Sequence, residues 1–151
     1  MQEVEVVVVS IANPLLVGVY ENDTLIQTFS NDGKTSDILP QLFDEISKQY
    51  HIKSLLYVNG PGSYMSIKVS YIFLKTISIV NNIPLIAING FELNQNSPIK
   101  AIGKKYFMQK DDKIILSDLN DSVIKDFELP QYLQNLKRSL DNLPNYVLPA
   151  V

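Results

Sequence analysis

Ser54-Leu55-Leu56-Tyr57-Val58-Asn59-Gly60-Pro61-Gly62-Ser63-Tyr64-Met65-Ser66-Ile67-Lys68 changes its texture halfway along. Ser54 to Val58 is a short apolar run, the pattern of a strand buried on both faces. Asn59 to Ser63 then fits two glycines and a proline into five residues, which forces a turn. Ser63 is a residue type that caps helices, and Tyr64 to Val80 reads as the helix it would cap. A buried strand running straight into a helix is the building unit of an α/β fold.

Upstream of it, the valine-rich run Val4 to Ser10 predicts another strand buried on both faces, and Asn13-Pro14 a turn. Leu15 to Tyr20 and Leu25 to Ser30 read as strands joined by the tight polar turn Glu21-Asn22-Asp23. Asn31-Asp32-Gly33 closes this meander. A helix over Ser36 to Tyr50 follows, with Thr35 or Ser36 able to cap it and Asp37 favourable in its first turn. Its apolar face is Ile38, Leu39, Leu42, Phe43 and Ile46. Downstream, Asn81-Asn82 ends the second helix and Pro84 to Ile88 is a short strand. The order β-β-β-α-β-α-β predicts a mixed sheet with helices packed on it over residues 1–95.

Past Asn94 the texture changes. Gln95 to Pro98 reads as a linker. Ile99 to Ile102, Tyr106 to Gln109 and Ile114 to Leu116 read as strands, with Asp111-Asp112 turning between the last two. Pro130 to Leu143 carries Tyr132, Leu133, Leu136, Leu140 and Leu143 at helical spacing. The apolar tail Asn145 to Val151, containing Pro149, is expected to be pinned onto a surface. Residues 96–151 thus form a shortened α+β appendage, thin for an independent domain.

Composition narrows the chemistry. The chain has 151 residues, 46% hydrophobic and 19% charged, with a net charge of −3, so it lacks the cationic footprint of a duplex nucleic-acid binder. It has no cysteine, hence no thiolate nucleophile or thiolate zinc site. His51 is the only histidine and Arg138 the only arginine, which excludes paired-histidine metal chemistry and a multi-arginine phosphate clamp. His51, before a strand, reads as an ordinary surface residue. Met1 is followed by Gln2, Glu3 and Glu5 rather than the pattern of a secretion leader, so the expected location is the cytoplasm, with no membrane contact. The second helix is apolar around most of its circumference, with Lys68 and Lys75 almost its whole polar stripe. Two lysines argue against a membrane span; the helix is either sandwiched in its own domain or turned towards another protein.

The Gly60 to Ser63 turn has two readings. Backbone amides and the helix dipole at Gly60, Gly62 and Ser63 can receive an anion or nucleotide, or the turn is purely structural. It has neither the lysine and spacing of a P-loop nor the GxGxxG of a dinucleotide site.

Several segments together carry a resemblance. Asn59 to Lys68 is similar to a GPGSFTGLR-like turn and helix, and Asn82-Ile83-Pro84-Leu85-Ile86-Ala87-Ile88 to a GIPLVGVSSLE-like strand. Gly33 to Pro40 is similar to GRTHSERLLP, Asn89 to Leu93 to SSLEAL, and Pro144 to Pro149 faintly to PLYLRPP. Over residues 4–94 the chain resembles the TsaB (YeaZ) family, partner subunits in bacterial synthesis of threonylcarbamoyladenosine in tRNA.

The resemblance implies an actin-like ATPase domain (ASKHA, ribonuclease H-like) and a subunit that is not itself the catalyst. It implies pairing through the two helices with the catalytic paralogue TsaD, with the ATPase TsaE joining, in support of threonylcarbamoyl transfer to the adenosine beside the anticodon. When alone the chain would form a homodimer, and tRNA would be met only through the complex. The implied interface is Leu39, Phe43, Tyr64, Ile67, Lys68, Tyr71, Leu74 and Lys75, and Tyr71→Glu or Leu74→Glu is expected to break the complex while leaving a folded monomer. No cofactor, metal or catalytic residue of its own is expected; a nucleotide would belong to the complex alone.

The departures agree with a non-catalytic role. Ser10-Ile11-Ala12 stands where many family members carry Asp-Thr-Ser, and an alcohol with two apolar residues cannot hold a divalent cation. Lys68 replaces the family's arginine. The competing reading is an actin-like ATPase or small-molecule kinase that uses the Gly60 to Ser63 turn for phosphate and draws an acid from Asp32, Asp37 or Glu92.

Overall fold

The computed structural model describes residues 1–119 and 123–147. Strands β1 (Glu3–Val9), β2 (Leu15–Glu21), β3 (Thr24–Asn31), β4 (His51–Val58) and β5 (Leu85–Ile88) form one mixed sheet in the order β3-β2-β1-β4-β5. β1 runs antiparallel to β2, with Val6 opposite Val19 and Val8 opposite Val17, and parallel to β4, with Val6 opposite Leu55. β4 and β5 are also parallel. Helices α1 (Thr35–Gln49) and α2 (Tyr64–Asn81) make the crossovers. His51 is the exposed first residue of β4.

The valine run works as a doubly buried strand should. Val4, Val6 and Val8 join Leu55, Leu39, Phe43, Ile46 and Leu74 under the helices. Val7 and Val9, pointing the opposite way, join Leu56, Val58, Ile99, Phe107 and Leu133. The second cluster therefore draws on residues from both sides of Asn94.

Two sharp turns follow from residue type. Asn22 and Asp23 between β2 and β3 have φ of 49° and 67°. Asp111 and Asp112 have φ of 51° and 64° between β7 (Lys105–Lys110) and β8 (Lys113–Asp118). Asn and Asp tolerate this left-handed region, which suits the twist of a hairpin. With β6 (Ile99–Lys100), these strands make a second, three-stranded antiparallel sheet in the order β6-β7-β8.

The structure corrects three sequence expectations. Residues 130–143 are not a helix. Their backbone groups bond the main sheet instead: the Leu25 amide donates to the Gln131 carbonyl (2.9 Å), Leu133 to Asp23 (3.0 Å), and Ala87 and Ser139 exchange hydrogen bonds of 2.8 and 3.0 Å. Offered unpaired strand termini and an edge, the segment makes bridges across the sheet rather than internal turns of helix. Only Leu133 of its expected apolar face is fully buried, while Tyr132, Leu140 and Leu143 are exposed. Neither Thr35 nor Ser36 caps α1; its N-cap is Lys34. Ser63 is the N-cap of α2, but its hydroxyl makes no capping hydrogen bond. Of the expected tail, residues 148–151 lie outside the described residues. No helix among the described residues is long and apolar enough to cross a membrane.

Candidate functional site

The Gly60 to Ser63 turn joins the end of β4 to the start of α2, and three other segments converge on it. Gly60 has φ +131°, a conformation open to glycine, and a Cβ there would lie 2.6 Å from the Asn145 carbonyl oxygen. Its own carbonyl accepts from the Gly90 amide at 2.9 Å. The Asn145 amide donates to the Asn59 carbonyl (2.8 Å), and Asn59 Nδ2 donates to the Leu143 carbonyl (3.1 Å). A Cβ on Gly62 would meet Ile11 Cβ at 2.8 Å, and one on Gly90 would meet Ile11 Cδ1 at 2.7 Å. The side chain of Ile11, 5% exposed, thus fills the space between two glycine turns.

This arrangement fills the space on the Cβ side of both glycines. On that side Gly60 meets the Asn145 carbonyl oxygen and Gly62 the Ile11 side chain. Ser63, the N-cap of α2, stays exposed. The start of the loop after β1 is tied to α2: the buried Ser10 hydroxyl is hydrogen-bonded to the buried hydroxyl of Ser70. Among the described residues no group of three or more His, Cys, Asp or Glu side chains lies close enough to hold a metal ion. Of the three acids available to an enzyme reading, Glu92 accepts from the Lys137 amide at 3.1 Å. Asp32 and Asp37 are exposed at the start of α1.

The face of the helix pair is where the sequence reading and the structure differ most. Leu39, Phe43, Ile67 and Leu74, all expected at a partner interface, are 0%, 3%, 0% and 0% exposed. They belong to the chain's own core, with Leu39 also lining the groove between the helices. Tyr64 and Tyr71 are half-buried against other tyrosines: the Tyr64 and Tyr146 ring centroids are 4.4 Å apart and those of Tyr71 and Tyr57 6.1 Å. Burial foremost, then the neighbouring Tyr64 and Tyr71 hydroxyls, raises the Tyr146 phenol above its usual pKa. Lys68 remains exposed, its ammonium 5.9 Å from the Tyr64 ring centroid.

The residues that do face outward are others. Met65, Ile72 and Ile79, seven apart along α2, are 63%, 54% and 69% exposed, with Val80 beside them. Between the helices lies an apolar groove of about 410 Å³ formed by Leu39, Pro40, Val69, Ile72, Phe73 and Ile77 among others. Phe43 and Phe73 pack edge to face beneath it, with ring centroids 5.4 Å apart. The two helices differ in charge: α1 carries Asp37, Asp44, Glu45 and Lys48, whereas α2 carries Lys68, Lys75 and no acid. The spacing of Met65, Ile72 and Ile79 was readable in the sequence. Lys68 and Lys75, three residues after Met65 and Ile72, lie on the same side of the helix and are the sequence signal for this stripe; the buried Ser70 on the other side works against it.

No family model matches the sequence, nor does any curated protein. Solved structures do match in fold. YeaZ from Pseudomonas aeruginosa superposes with a TM-score of 0.58 at 10% identity, covering 83% of this chain and 68% of that one. An uncharacterized protein with similarity to peptidase YEAZ from Pseudomonas aeruginosa gives 0.59 at 9% identity, covering 82% and 67%. At such identity the likeness is one of fold.

Proposed function

We propose that this chain, which has the fold of YeaZ, is a non-catalytic scaffold of the TsaB type built on an actin-like domain. It acts in the cytoplasm, binds TsaD with TsaE, and so supports threonylcarbamoyl transfer to the adenosine beside the anticodon of tRNA; alone, it self-associates through the same surface. The observation that carries this reading is the uncovered apolar stripe Met65-Ile72-Ile79, next to the groove between α1 and α2. Exposed apolar side chains interleaved with Lys68 and Lys75 beside an apolar groove suit an interaction site with an apolar and acidic partner face. The opposite charges of α1 and α2 favour a two-fold or pseudo-two-fold arrangement, in which α1 of one molecule meets the α2 of another. The filled turn and the loop Ser10-Ile11-Ala12, without acids, favour a scaffold over the competing ATPase or kinase.

The test is light scattering of the purified protein alone and after mixing with TsaD from the same organism. A heteromeric species that disappears with Ile72→Glu supports the scaffold, because an unpaired charge in an apolar interface costs several kcal/mol, on the order of 3–5. A protein that ignores TsaD removes the reading.

A further inference from the structure

We propose that the cavity between the loop after β1 and the small sheet binds a compact apolar monocarboxylate. The cavity measures about 440 Å³, and its walls include Ile11, Pro14, Leu16, Ile99 and Phe127. This volume falls in the range of small-ligand sites, which are mostly apolar with a few polar groups that fix orientation.

Three charged residues line it: Lys100, Lys125 and Asp126. Their sum, two positive and one negative, is +1 in a chain of net charge −3. Neither lysine takes part in an ion pair among the described residues. Asn13 and Tyr106 add neutral hydrogen-bonding groups. Ile124 forms part of the wall while 47% exposed, so a ligand would take apolar surface out of water there.

The location has its own logic. β1 is the central strand, with an antiparallel neighbour on one side and a parallel one on the other, and the cavity opens beyond its carboxyl end. Crevices outside the carboxyl ends of strands are where open α/β sheets take ligands. The lining suits one negative charge on a hydrocarbon body. A polyphosphate would find apolar walls and a carboxylate, and the only arginine, Arg138, donates to the Leu133 carbonyl at 2.7 Å. This inference is independent of the scaffold reading.

The experiment is isothermal titration of the full chain with octanoate, with octanol as the neutral match in shape, and with magnesium ATP. The expected result is saturable one-to-one binding of octanoate, at least tenfold tighter than octanol. Ala12→Trp, which fills the cavity from an exposed loop position, is expected to abolish binding, and Lys100→Glu with Lys125→Glu to weaken it at least tenfold. Both lysines are exposed, so the double variant keeps the test decisive even if Ala12→Trp does not fold. Octanoate that fails to saturate, binds no better than octanol, or is indifferent to the lysine reversal in a folded protein overturns the proposal. Lysine-dependent ATP binding tighter than that of octanoate overturns it as well.

Discussion

Gly60 shows how one residue ties the molecule together. Its φ of +131° and the 2.6 Å approach of the Asn145 carbonyl leave no room for a side chain. Gly60→Ala is therefore expected to lower stability by about 1–3 kcal/mol through backbone strain alone, read as a fall in denaturation midpoint. Buried phenols offer a second residue-scale test. Tyr20 and Tyr57 are wholly buried, donate to the carbonyls of Pro130 and Asn142, and have pKa values pushed well above the ordinary 10.0, chiefly by that burial. In the folded state they hold their protons to higher pH than in the unfolded chain. Their contribution to stability is thus complete below pH 10 and is lost as pH rises above it. Chemical denaturation at pH 8 and pH 11 should show the loss, and Tyr57→Phe should reduce its steepness; equal stability at both pH values would contradict the assignment.

At the scale of the element, α2 has two stripes with opposite consequences. Leu74 is fully buried, so Leu74→Glu is expected to unfold the domain; even Leu74→Ala should cost roughly 2–5 kcal/mol. Met65→Glu and Ile72→Glu, on the outward stripe, should leave the melting temperature within a few degrees of the parent and abolish association. Melting and light scattering on the four variants separate the stripes. α1 is simpler: Asp44 and Lys48 form an exposed pair of 3.0 Å that contributes little, while its apolar face was readable from i, i+4 spacing.

At the scale of the molecule, residues 129–147 act as a strap. They bond the β2–β3 turn region at one end and the β5 edge at the other, and they place Leu133 in the core beneath the sheet. An extended segment with no core of its own can stabilise the fold only by covering something else. Leu133→Ala is expected to cost about 3 kcal/mol, lowering the melting temperature by roughly 10 °C. A scanning melt checks this, and a change within 2 °C would mean the strap is not part of the cooperative unit.

The sequence by itself determined the elements whose signal is local. The doubly buried valine strand, the polar hairpin turns, the amphipathic α1 and the strand-turn-helix around Gly60 each follow from residue type and short-range period, so the β-β-β-α-β-α-β order was legible before any coordinate. What only the tertiary structure decided depends on what lies opposite. Residues 130–143 carry helical spacing, yet unpaired groups on the sheet claimed their backbone. The space beside the Gly60 to Ser63 turn is filled by Asn145 and Ile11, which lie far from it in sequence. α2 is apolar around most of its circumference, so where the sheet lies decides how much of it is covered; that is why Ile67 and Leu74 belong to the core and Met65, Ile72 and Ile79, beside Lys68 and Lys75, to the surface.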